Sequence, residues 1–145
     1  MEDTIVNTVM SENTLLYGRT LNTARMHHFV IDGTRDPREE ITPVETFASS
    51  VSACCVQWVE QLAREGGVEL TRITAEITAT RTVAEPNRFQ VWQIDVRAVG
   101  PKQAQLETFV EGFKARCPLY RTVAAATEVR FTVRAEGAAS EDVGE

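Results

Sequence analysis

The stretch ITPVETFASSVSACCVQW, residues 41–58, carries the clearest helix start in the chain and two adjacent cysteines. Thr42 can cap the helix, a proline occupies the first helical position, and Glu45 stands where its carboxylate can bond back to the capping residue. Apolar residues follow at intervals of three and four, the spacing of a buried helix face. They are Val44, Phe47, Val51, Cys55, Trp58 and Leu62. A glycine pair ends the run, so a helix is predicted over about Pro43 to Glu65.

Alternation of apolar and polar residues predicts strands on either side of a second helix. The predicted strands are Leu15 to Thr20, Met26 to Asp32, Arg72 to Thr80, Phe89 to Val99 and Glu128 to Arg134. The third and fourth should pair as a hairpin, and the apolar residues of segment 5–9 could add an edge strand. The second helix follows Gly100 and Pro101. Its apolar stripe ends at Cys117, and Pro118 stops it. We therefore predict an α+β fold in which two helices cover one face of an antiparallel sheet.

Length and composition indicate one compact domain. The chain has 145 residues, of which 43% are hydrophobic, enough for a single well-formed core. We assign residues 1–134 to this domain. Residues 135–145 form an acidic, small-residue tail that we expect to be disordered.

The charge pattern excludes several kinds of partner. The net charge is −6 and the chain has no cluster of lysines or arginines, so we expect no nucleic acid, whose binding depends on neutralising phosphates. No apolar run approaches the ~20 residues that span a bilayer, and the acidic N-terminus is unlike a secretory signal. We expect no membrane and a cytoplasmic location. No glycine-rich phosphate loop is present, so a nucleotide cofactor is not expected.

Three cysteines, two of them adjacent, fit neither an even disulfide framework nor the paired spacing of a zinc site. On a helical wheel Cys55 lies within the apolar stripe and Cys54 lies about 80° to its side. Cys55 is therefore interpreted as a core residue, and Cys54 as a thiol at the margin of the core. A second core-facing thiol, Cys117, ends the other helix. The pair Cys54 and Cys117 predicts thiol redox chemistry if the fold brings them together.

A reactive thiol needs a neighbour that favours its ionised form. Cys54 lies too far into its helix to gain from the helix dipole, which acts within the first turn. The candidates for a cationic partner are Arg19, Arg25, His27 and His28, all on the N-terminal strands.

Three segments together resemble the OsmC/Ohr family of thiol-dependent hydroperoxide reductases. ITPVETFASSVSAC is similar to that family's helix, with its proline and glutamate at the start and its cysteine at the end. RCPLYRTV is similar to the segment of the second cysteine, and ARMHHFVIDG to the strand that precedes the helix. The resemblance spans about Leu15 to Val133. It implies an OsmC-like fold, with two long helices and a curved antiparallel sheet, assembled as an intertwined homodimer.

The resemblance also implies roles for individual residues. Cys54 would be the peroxidatic thiol that attacks an organic hydroperoxide, and Cys117 the resolving thiol that forms a disulfide with it. An external dithiol would reduce that disulfide, and no cofactor or metal is implied. An arginine, Arg25 by preference and Arg19 otherwise, would stabilise the Cys54 thiolate, held by the glutamate Glu45. Members proficient in peroxide reduction carry a glutamate directly after the proline, where this chain has Val44.

Three other functions compete with the peroxidase hypothesis. The Val44 departure motivates an OsmC-like dimeric binding or scaffold protein with weak or no peroxidase activity. A metal site built from the two cysteines and a histidine, and a hydrolase with a histidine as base, are further alternatives. Neither of these has ligand or triad spacing in its favour.

Overall fold

The computed structural model describes residues 3–35 and 37–137. The chain forms two compact units that meet in sequence between Phe47 and Ala48. In the first unit three strands follow one another, β1 (Met10–Asn13), β2 (Arg19–Ala24) and β3 (His27–Asp32). They pair as antiparallel neighbours in the order β1-β2-β3, with Arg19 opposite Asp32 and Ala24 opposite His27. The strand predicted over Met26 to Asp32 is confirmed.

The strand predicted over Leu15 to Thr20 is wrong for most of its length. Residues 15–18 form a turn, and β2 begins only at Arg19. The Thr14 hydroxyl donates to the Leu16 carbonyl and accepts the Leu16 N–H, while Gly18 takes a φ of +87° that suits a glycine. Leu15, Leu16 and Tyr17 are all exposed, so among the described residues this apolar run is not part of a buried core. The edge strand expected near residues 5–9 instead lies at β1.

Helix α1 (Pro43–Glu65) has the bounds that the sequence predicts. The Thr42 backbone N–H and hydroxyl donate to the Glu45 carboxylate at 3.0 and 2.6 Å, and the Glu45 N–H donates to the Thr42 hydroxyl oxygen at 3.3 Å. This reciprocal capping satisfies backbone donors that the first turn leaves free. The pKa of Glu45 is lowered by the hydrogen bonds from the Thr42 side chain and backbone.

The second unit contains most of α1 and a second three-stranded sheet. Its elements are β4 (Arg72–Thr80), β5 (Val91–Val99), α2 (Gln103–Arg116), α3 (Pro118–Ala126) and β6 (Glu128–Glu136). The predicted hairpin of β4 and β5 is confirmed, with Ile77 opposite Ile94. One pairing departs from the antiparallel sheet that we expected: β6 runs parallel to β5. This is possible because α2 and α3 return the chain to the end of the sheet at which β5 begins.

One face of this sheet is apolar and is buried with the helices, as predicted. Four residues of β5 are at most 1% exposed: Trp92, Ile94, Val96 and Ala98. They form one cluster with buried residues of the three helices, among them Val51, Leu106, Val110 and Phe113. The α+β class is therefore confirmed.

The predicted end of the second helix before Pro118 is confirmed, since α2 ends at Arg116. The additional helix α3 was not predicted; it starts at Pro118, because a proline also fits the first turn of a helix. Residues 135 and 136 of the expected tail belong to β6. Residues 138–145 lie outside the described residues, and the assignment of 1–134 to a single domain remains a prediction.

Candidate thiol redox site

The structure brings the sulfurs of Cys54 and Cys117 to 2.9 Å from each other, although 63 positions separate them in sequence. Both cysteines are free thiols. Cys54 lies on α1 and is half-buried, whereas Cys117 is fully buried in the core cluster. Cys55 is also fully buried, as its place on the apolar stripe predicted. The two thiols proposed as a redox couple thus occupy one site, and the half-buried Cys54 is the more accessible of them.

Cys117 is held at the junction of α2 and α3, in extended backbone geometry. Its N–H donates to the Phe113 carbonyl at 2.9 Å and closes α2. Its sulfur accepts the Tyr120 N–H at 3.4 Å and caps α3, where Pro118 occupies the first position. These two hydrogen bonds hold the Cys117 sulfur in place beside Cys54.

Burial dominates the acidity of the neighbouring thiols. It raises the pKa of Cys54 to about 12, with further increases from the hydrogen bond and the charge of Cys117. The Trp58 side chain opposes this rise as a hydrogen-bond donor to the sulfur. Burial, followed by the charges of Cys117 and Cys54, raises the pKa of Cys55 to about 12 as well. Within the second unit, the described residues therefore keep Cys54 and Cys55 protonated at neutral pH.

Arg19 is committed to two carboxylates of the first unit. Its Nε and Nη2 donate to the two Asp32 oxygens at 2.8 and 3.0 Å, and Nη2 also donates to Glu39 at 2.7 Å. The Asp32 side chain is fully buried and accepts the backbone N–H groups of Glu39 and Glu40. Hydrogen bonding from Arg19 holds the pKa of Asp32 well below its usual range. The sequence did not predict this ion pair, because it depends on the strand register that places Arg19 opposite Asp32.

Arg25, the preferred activating residue, lies in the turn between β2 and β3. It has a positive φ of 56° and an exposed side chain. The Glu45 carboxylate is hydrogen-bonded to Thr42 at the start of α1. Of the predicted site residues, the second unit thus brings Cys54 and Cys117 together. The activating roles of Arg25 and Glu45, both in the first unit, remain predictions.

Both candidate histidines on β3 are exposed. His28 shares a hydrogen bond of 2.9 Å with the Thr23 hydroxyl through its Nδ1. Across residues 3–35 and 37–137, no group of three or more histidine, cysteine or acidic side chains is arranged to hold a metal ion. Over the same ranges, no helix has both the length and the apolarity to cross a bilayer.

Trp58 and Arg116 lie beside the thiols. Trp58, a residue of the predicted apolar stripe, is one helical turn beyond Cys54 on α1. Arg116, next to Cys117 in sequence, places its guanidinium carbon 5.7 Å from the centre of the Trp58 ring. A cationic residue adjacent to a candidate cysteine is the signal that would have found it.

Comparison with known proteins gives one family and one fold. The family model for OsmC-like proteins matches residues 35–132. No curated protein matches the chain. A hypothetical protein from Aquifex aeolicus VF5 superposes with a TM-score of 0.82 at 16% sequence identity, over 93% of this chain and 99% of that one.

Two further solved structures have the same fold. The OsmC-like protein from Mycoplasma pneumoniae gives a TM-score of 0.76 at 12% identity, over 93% of this chain and 99% of that chain. The organic hydroperoxide resistance protein OhrB of Bacillus subtilis gives 0.65 at 14% identity, over 90% and 98%. At these identities, the likeness establishes the fold.

Proposed function

The chain belongs to the OsmC-like protein family, and from that premise we propose that it is a thiol-dependent organic hydroperoxide reductase with a role in the oxidative stress response. The observation that carries the proposal is the contact of 2.9 Å between the sulfurs of Cys54 and Cys117. The name of the Bacillus subtilis structure, an organic hydroperoxide resistance protein, supports an organic hydroperoxide as substrate.

The proposed reaction has three balanced steps. The Cys54 thiolate attacks the distal oxygen of the hydroperoxide, the O–O bond breaks, and an alcohol leaves after protonation while the sulfur becomes a sulfenic acid. The Cys117 sulfur then attacks the Cys54 sulfur, which releases water and forms the disulfide. An external dithiol reduces the disulfide through a mixed disulfide and returns both thiols.

The difference in exposure supports this assignment of roles. The half-buried Cys54 can meet a substrate, whereas the fully buried Cys117 can meet only a partner that is already beside it. The hydrogen bond from the Tyr120 N–H holds the Cys117 sulfur in contact with the Cys54 sulfur.

Activation of Cys54 has to overcome a raised pKa. We propose that Arg25 supplies the positive charge and that Glu45 positions it, in an intertwined homodimer located in the cytoplasm. Arg19 is the weaker candidate because it already serves Asp32 and Glu39. Arg25→Gln should slow peroxide consumption with little loss of stability, whereas Arg19→Gln should destabilise the fold, since it leaves Asp32 buried without its cation.

The experiment that tests the function compares single cysteine variants. Alkyl hydroperoxide should convert the wild-type protein to a Cys54–Cys117 disulfide, identified by peptide mass spectrometry. Cys54→Ser should abolish peroxide consumption, and Cys117→Ser should accumulate a sulfenic acid that dimedone traps. Cys55→Ser is the matched control and should behave as wild type. Consumption no faster than that by free cysteine would refute the proposal.

A second function is favoured by two observations. Val44 stands where peroxide-reducing relatives are expected to carry a glutamate, and burial raises the pKa of Cys54. Both would suit an OsmC-like dimeric binding or scaffold protein with weak or no peroxidase activity. Titration of Cys54 in the purified protein separates the two functions. A pKa well below the ~8.5 of a free thiol supports the peroxidase, and a value near ~8.5 or above it supports the binding or scaffold protein.

A further inference from the structure

Four residues from two helices meet at the thiol site. Cys54 and Trp58 are one turn apart on α1, a spacing that places them on the same side of the helix. Both pack against the core cluster and both are partly exposed. Arg116 and Cys117 follow one another at the end of α2. Cys117 contacts Cys54 through sulfur, and Arg116 contacts Trp58 through the face of its ring.

We propose that Trp58 and Arg116 act as a positioning pair that stabilises the Cys54 thiolate, with the indole N–H as donor to the sulfur and the guanidinium on the ring face. This inference deepens the proposed function and rests on it. The indole N–H is a donor only, so its sole polar interaction with a sulfur is one that favours the charged form. A donor hydrogen bond to a thiolate lowers the pKa of the thiol.

Arg116 contributes in two ways. Its guanidinium over the indole is a cation–π contact, which fixes the orientation of the ring and draws electron density from the N–H. It also places a permanent positive charge over the Trp58 ring, one helical turn along α1 from Cys54. The exposed side chain stands in the last turn of α2, where the helix dipole favours a cation.

A purely structural role predicts a different result. If Trp58 only covers the core and Arg116 is only a solvent-exposed surface residue, their replacement changes stability but leaves the pKa of Cys54 unchanged. The pKa of Cys54 therefore discriminates between the two roles. Among the described residues of the second unit, Cys117 is the titratable group that raises the pKa of Cys54, and Cys54 in turn raises that of Cys55.

The experiment measures this pKa in a variant that contains Cys54 as its only thiol, made by Cys55→Ser and Cys117→Ser. The rate of alkylation by iodoacetamide is compared between variants at fixed pH values from 8 to 11, with the product identified by mass spectrometry. Below the pKa this rate is proportional to the thiolate fraction, so a rate about tenfold slower at one pH reports a pKa higher by about 1. Trp58→Phe keeps an aromatic face but removes the N–H, and should raise the pKa by about 1. Arg116→Gln should raise it by a smaller amount, and Arg116→Lys should stay near the parent because it retains the charge.

A matched control removes a charge elsewhere on the same helix. The Lys114 ammonium lies 4.3 Å from the Phe131 ring centre, so Lys114→Gln deletes a comparable cation–π contact and should leave the pKa unchanged. Circular dichroism verifies that each variant is folded. Should Trp58→Phe fail to fold, the two Arg116 variants still test the pair.

An unchanged pKa in Trp58→Phe or in Arg116→Gln overturns the inference, and so does a rise in Arg116→Lys as large as that in Arg116→Gln. No hydroperoxide enters this measurement. A wild-type protein that does not consume hydroperoxide would therefore refute the reductase proposal. The alkylation measurement would still test the roles of Trp58 and Arg116.

Discussion

Joining Cys54 to Cys117 should stabilise the protein by about 4 kcal/mol. The two cysteines are 63 positions apart in sequence and their sulfurs are already in contact, so the bond forms between neighbouring groups and closes a long loop. In the unfolded chain, a loop of this length loses conformational entropy worth about 4 kcal/mol at 25 °C. For a chain of this size, that corresponds to a rise in Tm of roughly 10 to 15 °C.

The assay is a thermal melt of the oxidised and the reduced protein. Diamide oxidises thiols without any peroxidase activity, so the result does not depend on the proposed function. Cys54→Ser and Cys117→Ser should lose the shift, and Cys55→Ser should keep it. A rise in Tm below about 3 °C in a protein shown to be fully cross-linked would refute the reasoning. An equal shift in Cys54→Ser would refute the pairing.

Three further predictions concern the stability of the fold. Gly100→Ala should lower the free energy of unfolding, measured with urea, by more than about 3 kcal/mol, because φ is +121° and a Cβ would collide with a backbone carbonyl. Gly67→Ala is the matched control: φ is +65° but the space is open, so the loss should be only about 1 kcal/mol. Phe113→Ala removes a fully buried ring and should cost about 3 to 5 kcal/mol by the same measurement, a loss below 1 kcal/mol contradicting its place in the core. Hydrogen bonding from Arg19 lowers the pKa of Asp32 in the folded state. The ionised Asp32 therefore stabilises the folded protein fully above about pH 4, and this contribution is lost as the pH falls further. Asp32→Asn should therefore flatten the fall in stability below pH 4, and an unaltered acid unfolding curve would contradict this.

Helix α1 was predictable because independent signals agreed on it. The capping residues fixed its start and an apolar stripe of constant period fixed its buried face. The N-terminal strands were less predictable, since Leu15 and Tyr17 supply an apolar run that the chain leaves exposed. Hydrophobic pattern alone does not distinguish such a turn from a strand.

The thiol pair was predictable only in part. The apolar stripes place Cys54 near, and Cys117 within, the faces that two helices bury, but no spacing rule links residues 63 positions apart. Packing of the helices on one sheet makes the contact, and sequence does not encode that geometry locally. The contact between Arg116 and Trp58 follows from the same packing, so it too was invisible in the sequence.

The position of Cys117 determines how the oxidised protein could be recycled. Its sulfur is fully buried and also caps α3, so it is the less accessible of the two sulfurs to an incoming dithiol. Cys54 is partly exposed to solvent, and nucleophilic attack on its sulfur releases Cys117 as the leaving group. The Cys117 sulfur then lies where it accepts the backbone N–H of Tyr120. The external dithiol should therefore form its mixed disulfide with Cys54 on α1, and not with Cys117.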